Sequence, residues 1–264
     1  MLPEPKHQDG LMSLDDAAGY GTAAMGLFTL PGQRRAPPPI AGNPEPVATH
    51  LAGMDALLDP TGALYWPAHK TLIVSDLHLE TGSSYARTGQ MLPPYDTGVT
   101  LSRLADAVER FAPDRIVSLG DSFHDPYGFE RLCEADGGLL GQLMAGVQWV
   151  WIAGNHDHES AQALGGVATE VFSLGGVNLR HIPTNGALDR PEVAGHLHPA
   201  ARLVIRGKPL KRRCFVGCAM RLIMPAFGCL TRGLPLSDPA FSALWPVPPA
   251  PRAHLISRDR VYSV

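Results

Sequence analysis

The sequence lacks the features that mark membrane-spanning, secreted or thiol-rich metal proteins. It has 4 cysteines in 264 residues, and the closest pair, Cys214 and Cys218, lies in CFVGC, which is not a CxxC zinc spacing. No apolar run approaches the ~20 residues that a transmembrane helix needs, so no membrane contact is expected. The N-terminus has no basic segment followed by a long apolar one, so no secretory signal is predicted. A reducing cytoplasm is the expected location.

The sequence also has no excess of positive charge. It holds 22 Lys and Arg against 25 Asp and Glu, which gives a net charge of −3. The chain therefore has no global basic field of the kind that would predict nucleic-acid binding. This balance does not exclude DNA as a partner, because bound divalent metal ions would add local positive charge.

Composition divides the chain into two parts. Residues 1–46 contain PGQRRAPPPIAGNPEP and no sustained hydrophobic periodicity, so we predict a flexible tail there. Residues 47–264 are predicted to form one domain, since the chain is 45% hydrophobic and long enough for a sizeable core.

Strands and helices alternate early in this domain, and strands dominate later. TLIVSD, RIVSLGD and WVWIAGNHD predict buried strands that lead into polar loops, and leucine spacing predicts an amphipathic helix over residues 97–111. VATHLAGMDALLDPTGALYWP predicts two short strands around a DPTG turn. The pattern favours a layered α/β domain whose sheets are covered by helices.

Glycine pairs mark two further features. VFSLGGVNLRHIP predicts a β-hairpin that turns at Gly175 and Gly176. Residues 127–145 predict a looser helical segment that is interrupted at Gly137 and Gly138.

Polar residues able to bind metal follow five of the predicted strands. They are Asp76 and His78 after TLIVS, Asp121 after RIVSLG, Asn155, His156 and Asp157 after WVWIAG, His181 after VNLR, and His196 and His198 after VAG. An isolated aspartate after a strand is usually a turn or helix-cap residue, but five such endings on one chain are hard to explain as turns. Open α/β sheets bind ligands beyond the carboxyl ends of their strands, so the pattern predicts a site there.

Asp76 and His78 are two residues apart in this set, and so are His196 and His198. Residues at this spacing on an extended segment point the same way, so each pair is predicted to aim two ligands at one place. Carboxylate and imidazole suit Mn, Fe and Zn, and the missing thiols disfavour a structural zinc site. One ion takes about four to six ligands, and the nine residues of this set offer about seven ligands, so two ions that share one carboxylate are predicted.

The motifs DLH, GD, GNHD, a lone His and GHLH, in that order, resemble those of the calcineurin-like metallophosphoesterase superfamily. The resemblance covers roughly Leu72 to Pro199. The longer strings LHLETGSSYARTGQMLPPYDT and GDSFHD resemble a narrower bacterial group, the PdeM-type, ligase-associated DNA damage response endonucleases. The resemblance implies an α/β fold: a four-layer α/β/β/α sandwich of two mixed sheets flanked by helices.

The resemblance also implies a role for each polar residue. The metal ligands would be Asp76, His78 and His198 for the first ion, Asn155, His181 and His196 for the second, and Asp121 for both. His156 would face the substrate and donate to the leaving oxygen, with Asp157 holding its ring. Manganese is the favoured ion, and Fe, Zn and Mg are also compatible.

Three further features are candidate substrate contacts. His124 and Asp125 stand where many relatives have Arg or Glu, and His124 either contacts phosphate or bonds to backbone. Arg87, after DLHLE, is a candidate contact for substrate phosphate. The basic run KPLKRR, residues 208–213, forms either a solvated hairpin or a phosphate contact near the metal centre.

Three functions remain open at this point. The first is a manganese-dependent phosphodiesterase that acts on DNA in repair, with an ATP-dependent DNA ligase and a helicase or exonuclease as functional partners; DNA as the substrate follows from the narrower resemblance. The second is a phosphodiesterase or phosphatase for small substrates such as cyclic nucleotides or nucleotide sugars. The third is a non-catalytic scaffold, which is disfavoured because every implied ligand and His156 are present.

Overall fold

The computed structural model describes residues 44–155, 164–246 and 250–264. The predicted flexible tail, residues 1–46, lies almost entirely outside these ranges. Both predicted catalytic residues, His156 and Asp157, also lie outside them.

The first sheet has seven strands in the described ranges, and their order in the sheet follows the chain. The strands are β1 (Val47–Leu51), β2 (Met54–Leu58), β3 (Leu64–Trp66), β4 (Thr71–Val74), β5 (Arg115–Ser118), β6 (Gln148–Ile152) and β7 (Val167–Thr169). Strands β1 to β4 pair antiparallel, and β4 to β7 pair parallel. Three strands replace the two predicted around DPTG, because Ala52 and Gly53 both adopt positive φ and turn the chain between β1 and β2.

The second sheet has nine strands in the described ranges, in the order β14-β11-β12-β13-β10-β9-β8, with β15 and β16 joined through β12. The strands are β8 (Val171–Leu174), β9 (Val177–Arg180), β10 (Glu192–Ala194), β11 (Pro199–Ile205), β12 (Lys208–Gly217), β13 (Arg221–Ile223), β14 (Leu234–Pro235), β15 (Arg252–Ile256) and β16 (Val261–Ser263). The predicted hairpin joins β8 to β9, and its turn residues Gly175 and Gly176 have φ of 54° and 83°.

The described α-helices are α1 (Thr81–Arg87), α2 (Asp96–Phe111), α3 (Glu134–Met144) and α4 (Pro239–Leu244). Helix α2 begins one residue before the predicted start and ends at the predicted residue. Helix α3 runs through Gly137 and Gly138, so the predicted interruption there is wrong. Each glycine costs about 1 kcal/mol relative to alanine in a helix, and burial of Leu140 and Leu143 against the first sheet offsets this cost.

Alternate residues of each central strand face different layers. Leu72, Ile116 and Trp149 pack with the leucines of α2 and α3 on one face of the first sheet. Ile73 and Val150, on the other face, pack against the second sheet.

The second sheet repeats this alternation. Val193 and Leu222 pack between the sheets, whereas Ala194 and Ile223 pack against Phe241 of α4. The protein is therefore an α/β/β/α sandwich of two mixed sheets, which confirms the predicted fold class.

Parallel pairing places the loops that carry the predicted polar residues at one edge of each sheet. Strands β4, β5 and β6 are parallel neighbours, so the loops after Val74, Ser118 and Ile152 leave the first sheet together. Strands β9 and β10 are parallel in the second sheet, so the loops after Arg180 and Ala194 do the same.

Candidate metal centre

Backbone hydrogen bonds hold the loop after β4 against the loop after β5. The amide of His78 donates to the carbonyl of Asp121 over 2.9 Å, and the amide of Leu79 donates to Ser122 over 2.9 Å. The amide of His124 donates back to Leu79 over 2.9 Å. These bonds place His78 beside Asp121, although 42 residues separate them in the chain.

The paired ligands do not stand on extended segments. Asp76 and His78 have φ of 53° and 43°, and His196 and His198 have φ of 69° and 43°, all in the left-handed region. The predicted extended conformation is therefore wrong, although all four residues belong to groups that could hold a metal ion. A non-glycine residue in this region is uncommon and is retained where the surrounding structure holds it, as backbone bonds between loops do here. Leu77, which lies between Asp76 and His78, is buried in the core.

Asp76, His78 and His198 form the first cluster, and all their ligand atoms lie within 4.8 Å of one another. His198 Nε2 lies 3.1 Å from Asp76 Oδ1 and 3.4 Å from His78 Nε2. The hydroxyl of Ser75 and the backbone amide of His196 both donate to the Asp76 carboxylate, so that carboxylate is fixed in orientation.

Asp121, His181 and His196 form the second cluster, also within 4.8 Å. His181 Nε2 lies 3.3 Å from Asp121 Oδ2, 3.2 Å from His196 Nδ1 and 2.9 Å from Asn155 Oδ1. Asn155 thus lies beside this cluster, as its place in GNHD predicted.

Asp121 lies between the two clusters. Its Oδ2 is 3.3 Å from His181 Nε2 of the second cluster and 3.8 Å from His78 Nε2 of the first. One carboxylate oxygen therefore faces ligands from both groups.

Backbone carbonyls fix the imidazole tautomers in the state that binds metal. His181 Nδ1 lies 2.8 Å from the carbonyl oxygen of Leu119, and His198 Nδ1 lies 3.0 Å from that of Arg232. A carbonyl oxygen only accepts, so each Nδ1 carries a proton, and Nε2, which faces the carboxylates, is the nitrogen left to bind a metal ion. Two buried carboxylates with such imidazoles fit divalent ions of the Mn, Fe and Zn class.

The protonation states follow from burial and from contacts within the site. Burial raises the pKa of Asp76, but His198 and the other imidazoles outweigh this effect and hold the pKa well below its usual range. Burial lowers the pKa of His181, but the hydrogen bond to Asp121 and the charges of Asp76 and Asp121 raise it to about 9. Burial and neighbouring His198 lower the pKa of His78 to about 3. Asp76 is thus ionised at neutral pH, the state in which a carboxylate binds cations.

Two glycines make room for the ligands. A Cβ on Gly195 would lie 1.9 Å from Ser75 Oγ and 2.6 Å from Asp76 Oδ2. A Cβ on Gly120, which has φ of 85°, would lie 2.6 Å from the His181 ring.

We expect Gly195→Ala to weaken metal binding about tenfold or more, because the new methyl group would displace Asp76 and the hydroxyl that fixes it. Gly137→Ala is the matched control, since a Cβ there meets open space on a helix and should leave metal binding unchanged. Calorimetric titration with Mn²⁺ measures both. Equal Mn²⁺ affinity in the two variants would contradict the proposed tight fit around Asp76.

The predicted substrate contacts lie beside the first cluster or further out. The His124 ring is 5.5 Å from the His78 ring and 5.5 Å from the Tyr85 ring, measured between centroids. Arg87 is exposed at the end of α1, with its guanidinium carbon 5.5 Å from the centre of the Tyr127 ring.

Sequence reasoning missed the residues that hold the ligands in place. Ser75 was visible directly before Asp76, and a hydroxyl next to a ligand carboxylate was the available signal. The carbonyls of Leu119 and Arg232 carried no signal, because any residue type supplies a carbonyl. Arg131, which bonds Asp125 at 2.9 and 2.6 Å, was also missed.

A layered α/β fold with two Asp/His clusters at its loop edge is suited to metal-dependent hydrolysis. The family model described as calcineurin-like phosphoesterase matches residues 69–201, half of the chain. The chain belongs to this family and is a metal-dependent phosphoesterase.

Solved structures give three likenesses. The Pseudomonas putida nuclease MPE is 26% identical, with a TM-score of 0.66 over 83% of this chain and 100% of that one. The E. coli phosphoesterase Yfce is 15% identical over 74% of this chain and 97% of that one, with a TM-score of 0.39. A Streptococcus pneumoniae TIGR4 protein, described as a predicted phosphoesterase, is 16% identical over 74% of this chain and 94% of that one, with a TM-score of 0.28. These last two scores are too low to support an argument. Comparison with curated proteins gives no match.

None of the helices within residues 44–155, 164–246 and 250–264 is long and apolar enough to cross a membrane.

Proposed function

We propose that this protein is a two-metal phosphodiesterase that cleaves DNA. The observation that carries the proposal is the position of Asp121, whose Oδ2 faces His181 of one cluster and His78 of the other. A carboxylate in this position can bridge two ions, and paired ions are suited to in-line displacement at phosphorus.

The ligands divide between the two ions by cluster. Asp76, His78 and His198 would hold the first ion, His181, His196 and Asn155 would hold the second, and Asp121 would contribute to both. Manganese is the proposed ion, because mixed carboxylate and imidazole ligands suit it. When bound, the ions lower the pKa of a coordinated water enough to supply hydroxide near neutral pH.

The chain's own residues complete the proposed reaction. Leu119 and Arg232 orient His181 and His198 through their carbonyls, and Ser75 orients Asp76. His156, which follows Asn155 in GNHD, donates a hydrogen bond or proton to the leaving oxygen, and Asp157 holds its ring. The roles of these last two residues rest on the motif resemblance.

DNA as the substrate is supported by two features. The Pseudomonas putida nuclease MPE aligns with this chain over 100% of its own length, at 26% identity. In addition, β11 begins at Pro199, directly after His198, and forms a hairpin with the basic β12. Arg202 lies directly opposite Lys211 in the register of this hairpin. Like charges placed opposite each other favour an anionic partner.

We expect the double variant Lys211→Ala, Arg212→Ala to bind DNA less tightly and to lower the slope of log affinity against log salt by about 1 to 2, because up to two phosphate contacts are lost. Lys70→Ala is the matched control, since Lys70 precedes β4 at the opposite end of the strand from Asp76. Fluorescence anisotropy at several salt concentrations measures the effect. An unchanged salt slope would show that the hairpin does not contact phosphate.

We also propose that the cleavage serves DNA repair in the cytoplasm, alongside an ATP-dependent DNA ligase and a helicase or exonuclease. The strings LHLETGSSYARTGQMLPPYDT and GDSFHD support this proposal through their resemblance to ligase-associated endonucleases. A nick made by this protein and resealed by such a ligase would support the association. Ends that no ligase can use would argue against it.

The proposal is tested by metal content and activity together. We expect about two Mn²⁺ ions per chain by mass spectrometry of the loaded protein, and Mn²⁺-dependent hydrolysis of bis(p-nitrophenyl) phosphate. A single ion per fully active chain would contradict the two-metal site.

A further inference from the structure

A groove is lined by residues that adjoin Tyr85 and His124 in the chain. It has a volume of about 360 Å³ and runs between α1 and the turn that follows Asp121. Its lining residues are Ser84, Arg87, Thr88, Asp125, Pro126 and Tyr127. A space of this size is near the lower end for small-ligand pockets, and it is large enough for one nucleotide.

Ring contacts connect this groove to a metal ligand. The His124 ring contacts that of His78 on one side and that of Tyr85, on α1, on the other, each at 5.5 Å between centroids. Asp125, the next residue, already lines the groove. A strand that ran from the first cluster past His124 would therefore reach the groove.

The two walls of the groove are tied together. Arg131 donates to Ser83 on α1 over 2.8 Å, and it donates to both carboxylate oxygens of Asp125 at 2.9 and 2.6 Å. Asp125 in turn accepts from the backbone amide of Tyr127 over 2.9 Å. Arg131 therefore neutralises the one acidic side chain that lines the groove and fixes the backbone at Tyr127.

The rim of the groove presents an aromatic ring and a cation. Tyr127 is 56% exposed, although an aromatic side chain of this size is usually more buried. The Arg87 guanidinium carbon lies over one face of the Tyr127 ring, 5.5 Å from its centre, so a base would stack on the opposite face. An exposed ring with an adjacent cation is the combination that binds the base and the phosphate of single-stranded nucleic acid.

We propose that this groove binds one unpaired nucleotide of the DNA strand, with its base stacked on Tyr127 and its phosphate contacted by Arg87. The inference rests on the proposed function, because it assumes that a DNA strand is the substrate at the adjacent metal centre. It extends that function by specifying the strand: a base within a duplex is already stacked on both sides, so the groove selects single-stranded or unpaired DNA.

The test is binding in EDTA, where cleavage does not interfere. Two labelled 12-nucleotide chains are compared by fluorescence anisotropy: oligothymidylate, and an abasic tetrahydrofuran chain with the same phosphates. The wild type is expected to bind oligothymidylate more tightly than the abasic chain. Tyr127→Ala is expected to bind oligothymidylate about tenfold more weakly and to lose this preference. Tyr127→Phe retains the preference, because it retains the stacking ring.

Tyr262→Ala is the matched control, since Tyr262 is 51% exposed on β16 in the second sheet, away from the groove residues. It should bind both chains as the wild type does. Wild-type affinity for oligothymidylate in Tyr127→Ala, or equal wild-type affinity for both chains, would overturn the groove inference. Displacement of oligothymidylate by thymidine monophosphate at equal concentration would also overturn it, since the groove would then be a small-molecule site.

Cleavage in Mn²⁺ separates the two possible failures. If the wild type cleaves DNA while Tyr127→Ala binds like the wild type, only the groove inference fails. If the wild type cleaves no DNA, the proposed function fails first, whatever the binding data show.

Discussion

We expect Asp121→Ala to reduce metal-dependent phosphodiester hydrolysis by about a thousandfold or more while leaving the fold largely intact. Asp121 Oδ2 faces His181 and His78, so its removal takes a ligand from both proposed ions at once. Metal ions in such sites supply several kcal/mol of transition-state stabilisation, and each 1.36 kcal/mol is about a factor of ten in rate. Initial rates on bis(p-nitrophenyl) phosphate measure the loss.

Two comparisons make this result specific. Asp114→Ala is the matched control, because Asp114 is an exposed aspartate that precedes β5, at the opposite end of the strand from Asp121. Asp121→Asn keeps the size of the side chain but removes its charge, so we expect reduced metal content and little activity. Undiminished Mn²⁺-dependent hydrolysis by Asp121→Ala would refute the two-metal interpretation.

Removal of metal should have the second large effect, on activity and stability together. The first cluster places Asp76 beside His78 and His198, and the site is buried enough that bound ions stabilise the folded state only. A ligand at about 1,000 times its dissociation constant stabilises by about 4 kcal/mol, which for a domain of this size shifts the melting temperature by on the order of 10 °C.

Dialysis against EDTA should therefore abolish hydrolysis and lower the melting temperature, and added Mn²⁺ should restore both. Calorimetry in parallel with activity measures these changes. Full activity after the loss of all bound metal, confirmed by mass spectrometry, would contradict the account.

The metal-free protein should also show its own pH dependence. The pKa of folded His181 is raised to about 9 from an ordinary value of 6.5. The stability that this group contributes is fully present below pH 6.5 and is lost as the pH rises through 9. We expect the melting temperature of the metal-free protein to fall over this range, and His181→Gln to remove that part of the fall. A melting temperature of the metal-free wild type that does not change between pH 6.5 and pH 9.5 would contradict this prediction.

Much of the fold could be predicted, because burial leaves a periodic record in the sequence. TLIVS and WVWIAG indicated buried strands, and the leucines at residues 101 and 104 indicated the face of α2 that packs on the first sheet. The split of the first strand at Ala52 could not be predicted, because alanine rarely adopts positive φ. The continuity of α3 through its glycines depends on packing against the first sheet, which local propensity does not record.

The convergence of the described polar residues was predictable, but their backbone geometry was not. Polar endings after successive strands indicated which residues converge, and the structure brings Asp121 between the two clusters. The left-handed backbone at His78 and His198 arises from bonds between loops distant in sequence, so a spacing rule for extended chains described it incorrectly. Tyr127 gave no signal, because its significance depends on the groove beside it.

Hydrolysis of a matched set of substrates by the Mn²⁺-loaded protein tests the central claim most directly. The set is single-stranded, nicked and duplex DNA, bis(p-nitrophenyl) phosphate, p-nitrophenyl phosphate and cyclic nucleotides. A two-metal DNA phosphodiesterase is predicted to cleave DNA and the generic diester, with single-stranded DNA cleaved faster than intact duplex. Rapid turnover of cyclic nucleotides with no cleavage of any DNA would contradict the account.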